Sequence, residues 1–290
     1  LLKWTEKENC KWLRDQDLKN LVVESIRNMR ILPSPLSIKD FVMTSSNTDT
    51  EDQLKENIHV RSDETARAFA KEIEHMAQDK VLFLLLLFIS SRLKISSAKT
   101  KYKCLVEELN LTEYWEFDRI LDWFKDDKIN VERYIWFSHS SYFEALRCLL
   151  IEDGYSRAIK EIFYKSLLNL SKDEETAGDV AFVIASYFNR LPAEIRNLLF
   201  ELSEEDDVAW NIGFAMITNF DRFPEDERNK LLLKLSENDM AARDVAKAVI
   251  YNFNKLPHDI RNELLQKLSR KNEAAEGLAW GITDNYDDLP

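Results

Sequence analysis

Glycine and proline are scarce, at five and six of 290 residues. Sheets, sandwiches and barrels need many turns built on these residues, so the deficit points to a mainly α chain with short connections. Cysteine is also rare. Cys10, Cys104 and Cys148 are widely spaced, odd in number and form no CxxC pair. That excludes a disulfide framework and fits a reducing compartment, read as the cytoplasm. The longest apolar run, Val81 to Ile89, spans nine residues. A membrane helix needs about 20, so this run reads as a buried core helix, and no membrane partner is expected. No signal peptide is visible.

What is abundant is apolar residues and acid. Apolar residues make up 45%, ample for a core, and the length suits about two domains. The 52 acidic residues outnumber 40 basic ones, for a net charge of −12. Such a surface repels phosphate backbones and acidic lipids.

The last 120 residues repeat. Leu-Ser recurs at Leu170-Ser171, Leu202-Ser203, Leu235-Ser236 and Leu268-Ser269, and a proline follows each Ser by 21 residues, at Pro192, Pro224, Pro257 and Pro290. Arg-Asn follows the first three prolines, at Arg196-Asn197, Arg228-Asn229 and Arg261-Asn262. Ala177, Ala209, Ala242 and Ala275 precede each Pro by 15. The period of 32 to 33 residues reads as a two-helix unit. The first helix starts at the Pro and the second runs from the Ala to an aromatic such as Phe220, Phe253 or Tyr286. Ala181, Gly213, Ala246 and Ala279 allow neighbouring helices to approach closely. One such hairpin cannot bury its own face, so a stack is expected: a HEAT-like α-solenoid, with TPR the nearest alternative by length. The repeated Arg is expected to bond to the neighbouring unit and the Asn to a loop carbonyl. Trp210, Phe214 and Trp280 depart from the consensus and are the candidates for a protein-binding surface. The sequence stops at Pro290, on the first residue of a new unit and with no polar cap, and it opens with Leu-Leu. The natural chain is therefore expected to continue.

Upstream, three segments are expected: residues 1–60, 61–152 and the repeats over 153–290. The first holds helices over Leu18–Met29 and Ile38–Val42 around a Pro-x-Pro turn, then a polar linker over Thr44–Glu56. Ser62-Asp63-Glu64 reads as an N-cap signal opening the second segment. Helices over Val81–Ser91, Ser96–Leu109 and Tyr114–Phe124 precede a β-rich hairpin over Lys128–Phe137 and a helix over Ser141–Ile151. Helices followed by a small hairpin is the winged-helix order. The third helix region carries Glu113, Glu116, Asp118, Asp122, Asp126 and Asp127 against Arg119 and Lys125, which argues against nucleic acid.

No catalytic or metal set is found. There is no GxxxxGK[ST], no HExxH and no GxSxG, and His59, His75, His139 and His258 have no metal-ligand spacing. The pairs Asp126-Asp127, Asp206-Asp207 and Asp287-Asp288 fall in expected turns and read as caps. No enzymatic activity and no cofactor are expected of this chain alone.

Two segments resemble the STAND class of signal-transduction NTPases, which includes the NACHT and NB-ARC families. Arg27-Asn28-Met29-Arg30-Ile31-Leu32-Pro33-Ser34-Pro35-Leu36-Ser37-Ile38 resembles the Gly-x-Pro-Leu-Ala-Ile segment of the helical lid, with Pro33 where that family has Gly. Phe137-Ser138-His139-Ser140-Ser141-Tyr142-Phe143-Glu144 resembles the Phe-x-His-x-x-x-x-Glu stretch of the family's winged helix. The resemblance implies that Pro35 packs near the adenine and that His139 approaches the β-phosphate of ADP. It also implies an upstream ATPase core that binds ATP or ADP, and a lid, winged helix and repeat array that sense a protein ligand. The class acts in several cases in antiviral defence and oligomerises when active. Read from the residues alone, His139 equally caps the helix start at Ser138–Ser141 or lies half-buried beside Phe137, and Pro33 and Pro35 equally break a helix. A plain repeat scaffold without nucleotide, and a winged-helix nucleic-acid binder, are the other function classes.

Overall fold

A computed structural model describes residues 10–27, 38, 41–42, 45–48, 50–125, 128–138, 140–152 and 154–284, without the side chains of 25–27, 59–65 and 280–284. The chain is mainly helical and divides into two compact units, Leu1–Phe163 and Tyr164–Pro290.

The first unit begins with a small core. A 3-10 turn at Lys11–Arg14 precedes α1 (Gln16–Arg27), and α2 (Glu51–Glu74) runs on from Thr50. Trp12, Val22, Phe41 and Val42 are buried together with Leu54 and Ile58 of α2. The Trp12 and Phe41 rings lie 6.0 Å apart. The polar linker expected over Thr44–Glu56 is thus helical from Glu51, and the N-cap expected at Ser62 lies inside α2. An expected boundary at residue 60 falls within that same helix. The reason is a narrow apolar stripe. Leu54, Ile58, Ala66, Ala70 and Ile73 recur at helical spacing through an otherwise charged segment, and all five are buried.

The rest of the first unit follows the expected order. It comprises α3 (Gln78–Ile89), β1 (Leu93–Lys94), α4 (Ile95–Glu108), α5 (Phe117–Phe124), β2 (Ile129–Val131), β3 (Tyr134–Phe137) and α6 (Ser140–Ile151). The strands form one antiparallel sheet in the order β1-β3-β2, with Val131 and Leu93 both opposite Ile135. Every residue from Val81 to Ile89 is buried. Phe83 meets the rings of Tyr102, Phe117 and Phe124. Asn110 takes φ 51 just after α4. Its N–H donates to Glu107 and that of Leu111 to Val106, a left-handed stop that asparagine tolerates. Lys128 is buried at the start of the hairpin. Its Nζ lies 2.7 Å from Glu72 of α2 and donates to the Tyr142 hydroxyl of α6 at 3.4 Å, which fastens three elements together.

In the second unit, which α7 (Arg157–Leu170) enters from the first, helices alternate. They are α8 (Glu174–Ser186), α9 (Ala193–Leu202), α10 (Asp206–Asn219), α11 (Glu225–Leu235), α12 (Asp239–Tyr251), α13 (His258–Leu268) and α14 (Asn272–Asp284). The second helices α8, α10, α12 and α14 pack in succession, and α11 packs on α13. Pro192, Pro224 and Pro257 stand at the N-cap, one residue before the start expected of them, with extended ψ of 154°, 147° and 143°. The second helices start three residues before the consensus Ala. They stop before the aromatic, which falls in a short 3-10 turn. Asp206-Asp207 lies in the first turn of α10, where negative charge suits the helix dipole.

The consensus residues build the stack. Each Ser of Leu-Ser donates its hydroxyl to the carbonyl three residues back, to Leu168, Phe200, Leu233 and Gln266, and so closes a helix end. Arg196, Arg228 and Arg261 place their guanidinium over Phe188, Phe220 and Phe253, at 5.5, 4.4 and 4.2 Å. Arg196 also donates to Glu227 of the following unit at 3.0 Å, as expected, whereas Arg228 donates to the Lys255 carbonyl at the end of its own unit at 3.5 Å. The Asn does not bond to a loop carbonyl as expected. Asn262 meets His258 on its own helix, Asn197 is exposed, and Asn229 is buried with its Oδ1 unpartnered among the described residues.

Helix approach is tight at Gly277, where a Cβ would overlap the Arg243 carbonyl oxygen and lie 3.0 Å from the Ala246 Cβ. The obstacle is backbone, which cannot swing aside. Gly277→Ala should therefore destabilise the second unit by roughly 1–3 kcal/mol, read from the urea midpoint; an unchanged midpoint would show that α14 can slide.

Lys234 and Lys267 reach back to Glu204 and Glu237 of the preceding unit, both at 2.8 Å. The lysine hydrogen bonds hold Glu204 and Glu237 below the usual carboxylate range, and the Glu237 hydrogen bond raises Lys267. A lowered carboxylate stabilises the fold above its unfolded pKa and loses that contribution as pH falls through the folded value. The raised lysine keeps its contribution until pH climbs through the lysine range. Melting temperature should therefore drop on acidification below pH about 4.5, and Lys234→Met with Lys267→Met should flatten that limb. An identical acid limb in the double variant would discount these pairs.

Candidate interaction surface

Each second helix buries one side and turns the other outward. On α10, Val208, Ala209, Ile212, Ala215 and Met216 are buried, while Trp210 and Phe214 are 43% and 47% exposed. These two stand four residues apart on one face, with ring centroids 6.5 Å apart and tilted by 27°. Phe182 on α8 is 39% exposed and continues the row, 6.4 Å from Phe214 at 23°. Three rings on two adjacent helices thus form one exposed strip. A single exposed aromatic is ordinary; a contiguous stacked row is a candidate binding surface.

Phe182 was missed by reading the sequence for departures from the consensus. The signal was in the register: Phe182, Phe214 and Trp280 each precede a consensus Pro by ten residues. On α12 that position is Lys247, and Arg243 takes the position of Trp210. Between them Asp244 is buried, with Arg243 Nε at 3.5 Å and Lys247 Nζ at 3.6 Å. Arg243 also faces Glu276 of α14 at 3.9 Å. The outer ridge therefore changes from aromatic on α8 and α10 to cationic on α12, held in place by one buried carboxylate. Exposed Met240 and Tyr251 occur on the same helix.

Of the other residues singled out in the sequence, Trp280 belongs to α14, but its side chain lies outside the described residues. His139 and Pro35 also lie outside them. On either side of His139, the Ser138 N–H donates to the Lys128 carbonyl at 2.9 Å, and α6 starts at Ser140. The described structure therefore brings Trp210 and Phe214 together, adds Phe182, and says nothing of a nucleotide contact. Cys10 and Cys148 are buried and Cys104 is exposed. Among the described residues, no group of three or more His, Cys, Asp or Glu could hold a metal ion. No helix there is long and apolar enough to cross a membrane.

No family model, curated protein or solved structure matches the chain.

The row contributes less to folding than a core cluster, because 39–47% of its surface stays in water. Phe182→Ser with Phe214→Ser should cost no more than about 1.5 kcal/mol per site in urea, while lowering the fluorescence of a bound hydrophobic dye. A large loss of stability would make the row part of the core.

Proposed function

We propose that this chain is the regulatory and sensor segment of a STAND-type NTPase. Its second unit is a HEAT-like solenoid that binds a protein ligand, and its first unit contains a winged-helix domain. The observation that carries the reading is the stacked row Phe182, Phe214 and Trp210, exposed on a helical-repeat array. A stacked, solvent-exposed aromatic row suits a protein ligand better than a small molecule, because it is an open strip of side chains and a small molecule needs an enclosing cavity. The order helix, strand, helix, helix and hairpin in α3 to β3 supports the winged-helix reading. The STAND assignment rests on the resemblance of the segments around Pro35 and His139.

In this reading an ATPase core upstream in the same polypeptide binds ATP or ADP, with His139 and Pro35 completing the nucleotide site. Ligand on the solenoid shifts a closed ADP form toward an open ATP form that oligomerises, and the setting is cytoplasmic antiviral defence. The chain itself performs no catalytic step. A repeat scaffold with no nucleotide role is the second reading, favoured by the aromatic row lying wholly in the second unit and needing no nucleotide to form. A GxxxxGK[ST] following a strand in the sequence upstream separates the two.

The test uses the full-length protein. His139→Ala should weaken ADP retention and raise basal signalling. Phe182→Glu with Phe214→Glu should leave ADP retention intact and abolish the response to ligand. Unchanged ADP affinity and basal activity in the first variant would overturn the role of His139. A preserved ligand response in the second would overturn the role of the aromatic row.

A further inference from the structure

The first unit carries a second exposed aromatic surface, separate from the repeats. Tyr114 and Trp123 are 46% and 44% exposed, values otherwise reached by large apolar residues only on the helical repeats among the described residues. Between them Trp115 is fixed on every side. Its N–H donates to the buried Asp79 carboxylate at 2.8 Å, and its carbonyl accepts from the Tyr102 hydroxyl at 2.9 Å. Burial, with the charge of Asp79 adding to it, pushes the Tyr102 phenol well above its usual range, so it stays a donor. The Trp115 ring has Arg119 3.9 Å and Lys80 4.1 Å from its centroid. Lys80 also lies 4.2 Å from the Trp123 centroid, and the two indoles meet edge to face at 6.2 Å. Two cations and two indoles, anchored through a buried carboxylate, make a preformed platform that loses little entropy when something binds on it.

A shallow groove adjoins the platform at Tyr114, with Val106 and Leu111 on its apolar side and Glu107 on its rim. The surrounding charge selects the occupant. Glu113 and Glu116 bracket Tyr114 and Trp115 in sequence, and Asp122 precedes Trp123; all three are exposed and form no ion pair among the described residues. Asp118 is already matched by Lys99 at 2.6 Å, and Glu107 faces Lys103 at 3.9 Å. Lys80 and Arg119 keep their charge on the rings, but residues 113–127 hold six acidic side chains against the two basic ones Arg119 and Lys125. The exposed aromatic surface therefore lies in an acidic segment, which disfavours a phosphate backbone and favours a cationic chain.

We propose that Tyr114, Trp123 and the groove beside Tyr114 form a docking site for a basic, amphipathic segment of a partner protein. Apolar side chains of that segment would enter the groove and cover Trp123, while its lysines or arginines meet Glu113, Glu116 and Asp122. This site is independent of the aromatic row on the repeats, and its test does not involve nucleotide.

The test uses the whole 290-residue chain and three synthetic peptides of equal length: an amphipathic Lys/Leu helix, its Glu/Leu counterpart, and a Lys/Ser peptide of the same charge. Affinities come from fluorescence anisotropy of the labelled peptides. The Lys/Leu peptide should bind in a salt-sensitive way, and the other two should bind at least about tenfold more weakly, the scale of a lost anchor. Tyr114→Ala with Trp123→Ala should cost a similar factor. Glu113→Lys with Glu116→Lys and Asp122→Lys should reverse the preference toward Glu/Leu. Those three side chains are exposed, so this variant stays informative if the double-alanine protein misfolds, as checked by circular dichroism. Several results would overturn the proposal: no binding of Lys/Leu, equal binding of Lys/Ser, Lys/Leu binding that ignores the charge reversal, or a labelled DNA duplex that outcompetes the peptide.

Discussion

Successive second helices lie so close that a methyl group at residue 277 would overlap the backbone of Arg243. The rest of the second unit depends on that approach. It lets Ala241, Ala242, Val245 and Val249 disappear completely from solvent, although few of these side chains are large. It also brings the outer edges of neighbouring helices within reach of each other, so that Phe182 and Phe214 stack across two helices rather than standing alone. Alanine and glycine recur among the larger aliphatic residues of the buried faces, while large aromatics stand on the outer face of α8 and α10. The small residues follow from having to pack helix against helix in a row.

The turns between helices solve a different problem. A proline with extended ψ fixes the entry to each first helix, a phenylalanine just before it fills the turn, and an arginine eight residues later covers that ring. Serine closes the far end from within its own helix. Ion pairs such as Lys267 to Glu237 then cross from one copy to the next at the surface. Exposed pairs of this kind contribute little individually, so the junction relies on the buried phenylalanine and its arginine.

Much of this was legible because it repeats. A residue recurring every 32 or 33 positions announces a structural duty even when its partner is unknown, and the duty of Arg196 as a link between copies could be read that way. The helix order of the first unit was legible from its dense apolar runs, such as Val81 to Ile89. α2 was not, because its stripe is only one residue per turn and lies among charges: Leu54 and Ile58 look incidental until Trp12 and Phe41 are seen against them. The exposed row was half legible. Trp210 stands out as a departure from the other copies, whereas Phe182, Phe214 and Trp280 are recognised as one set only by aligning the copies in register. The platform around Trp115 was hidden altogether, since its parts come from α3, α4 and α5 and only the fold places Lys80 beside Trp123. Composition showed that segment as acidic and stopped there.

The separation of duties along each second helix has an evolutionary consequence. Positions that face the stack tolerate almost no change in volume, while the position ten residues before each proline is Phe, Phe, Lys and Trp in successive copies. The scaffold can therefore vary at its outward positions at a lower cost in folding than at its inner ones, one copy at a time. Duplication of a copy would lengthen the outer ridge by one residue, and a single substitution would change one residue of it while leaving the packed face intact.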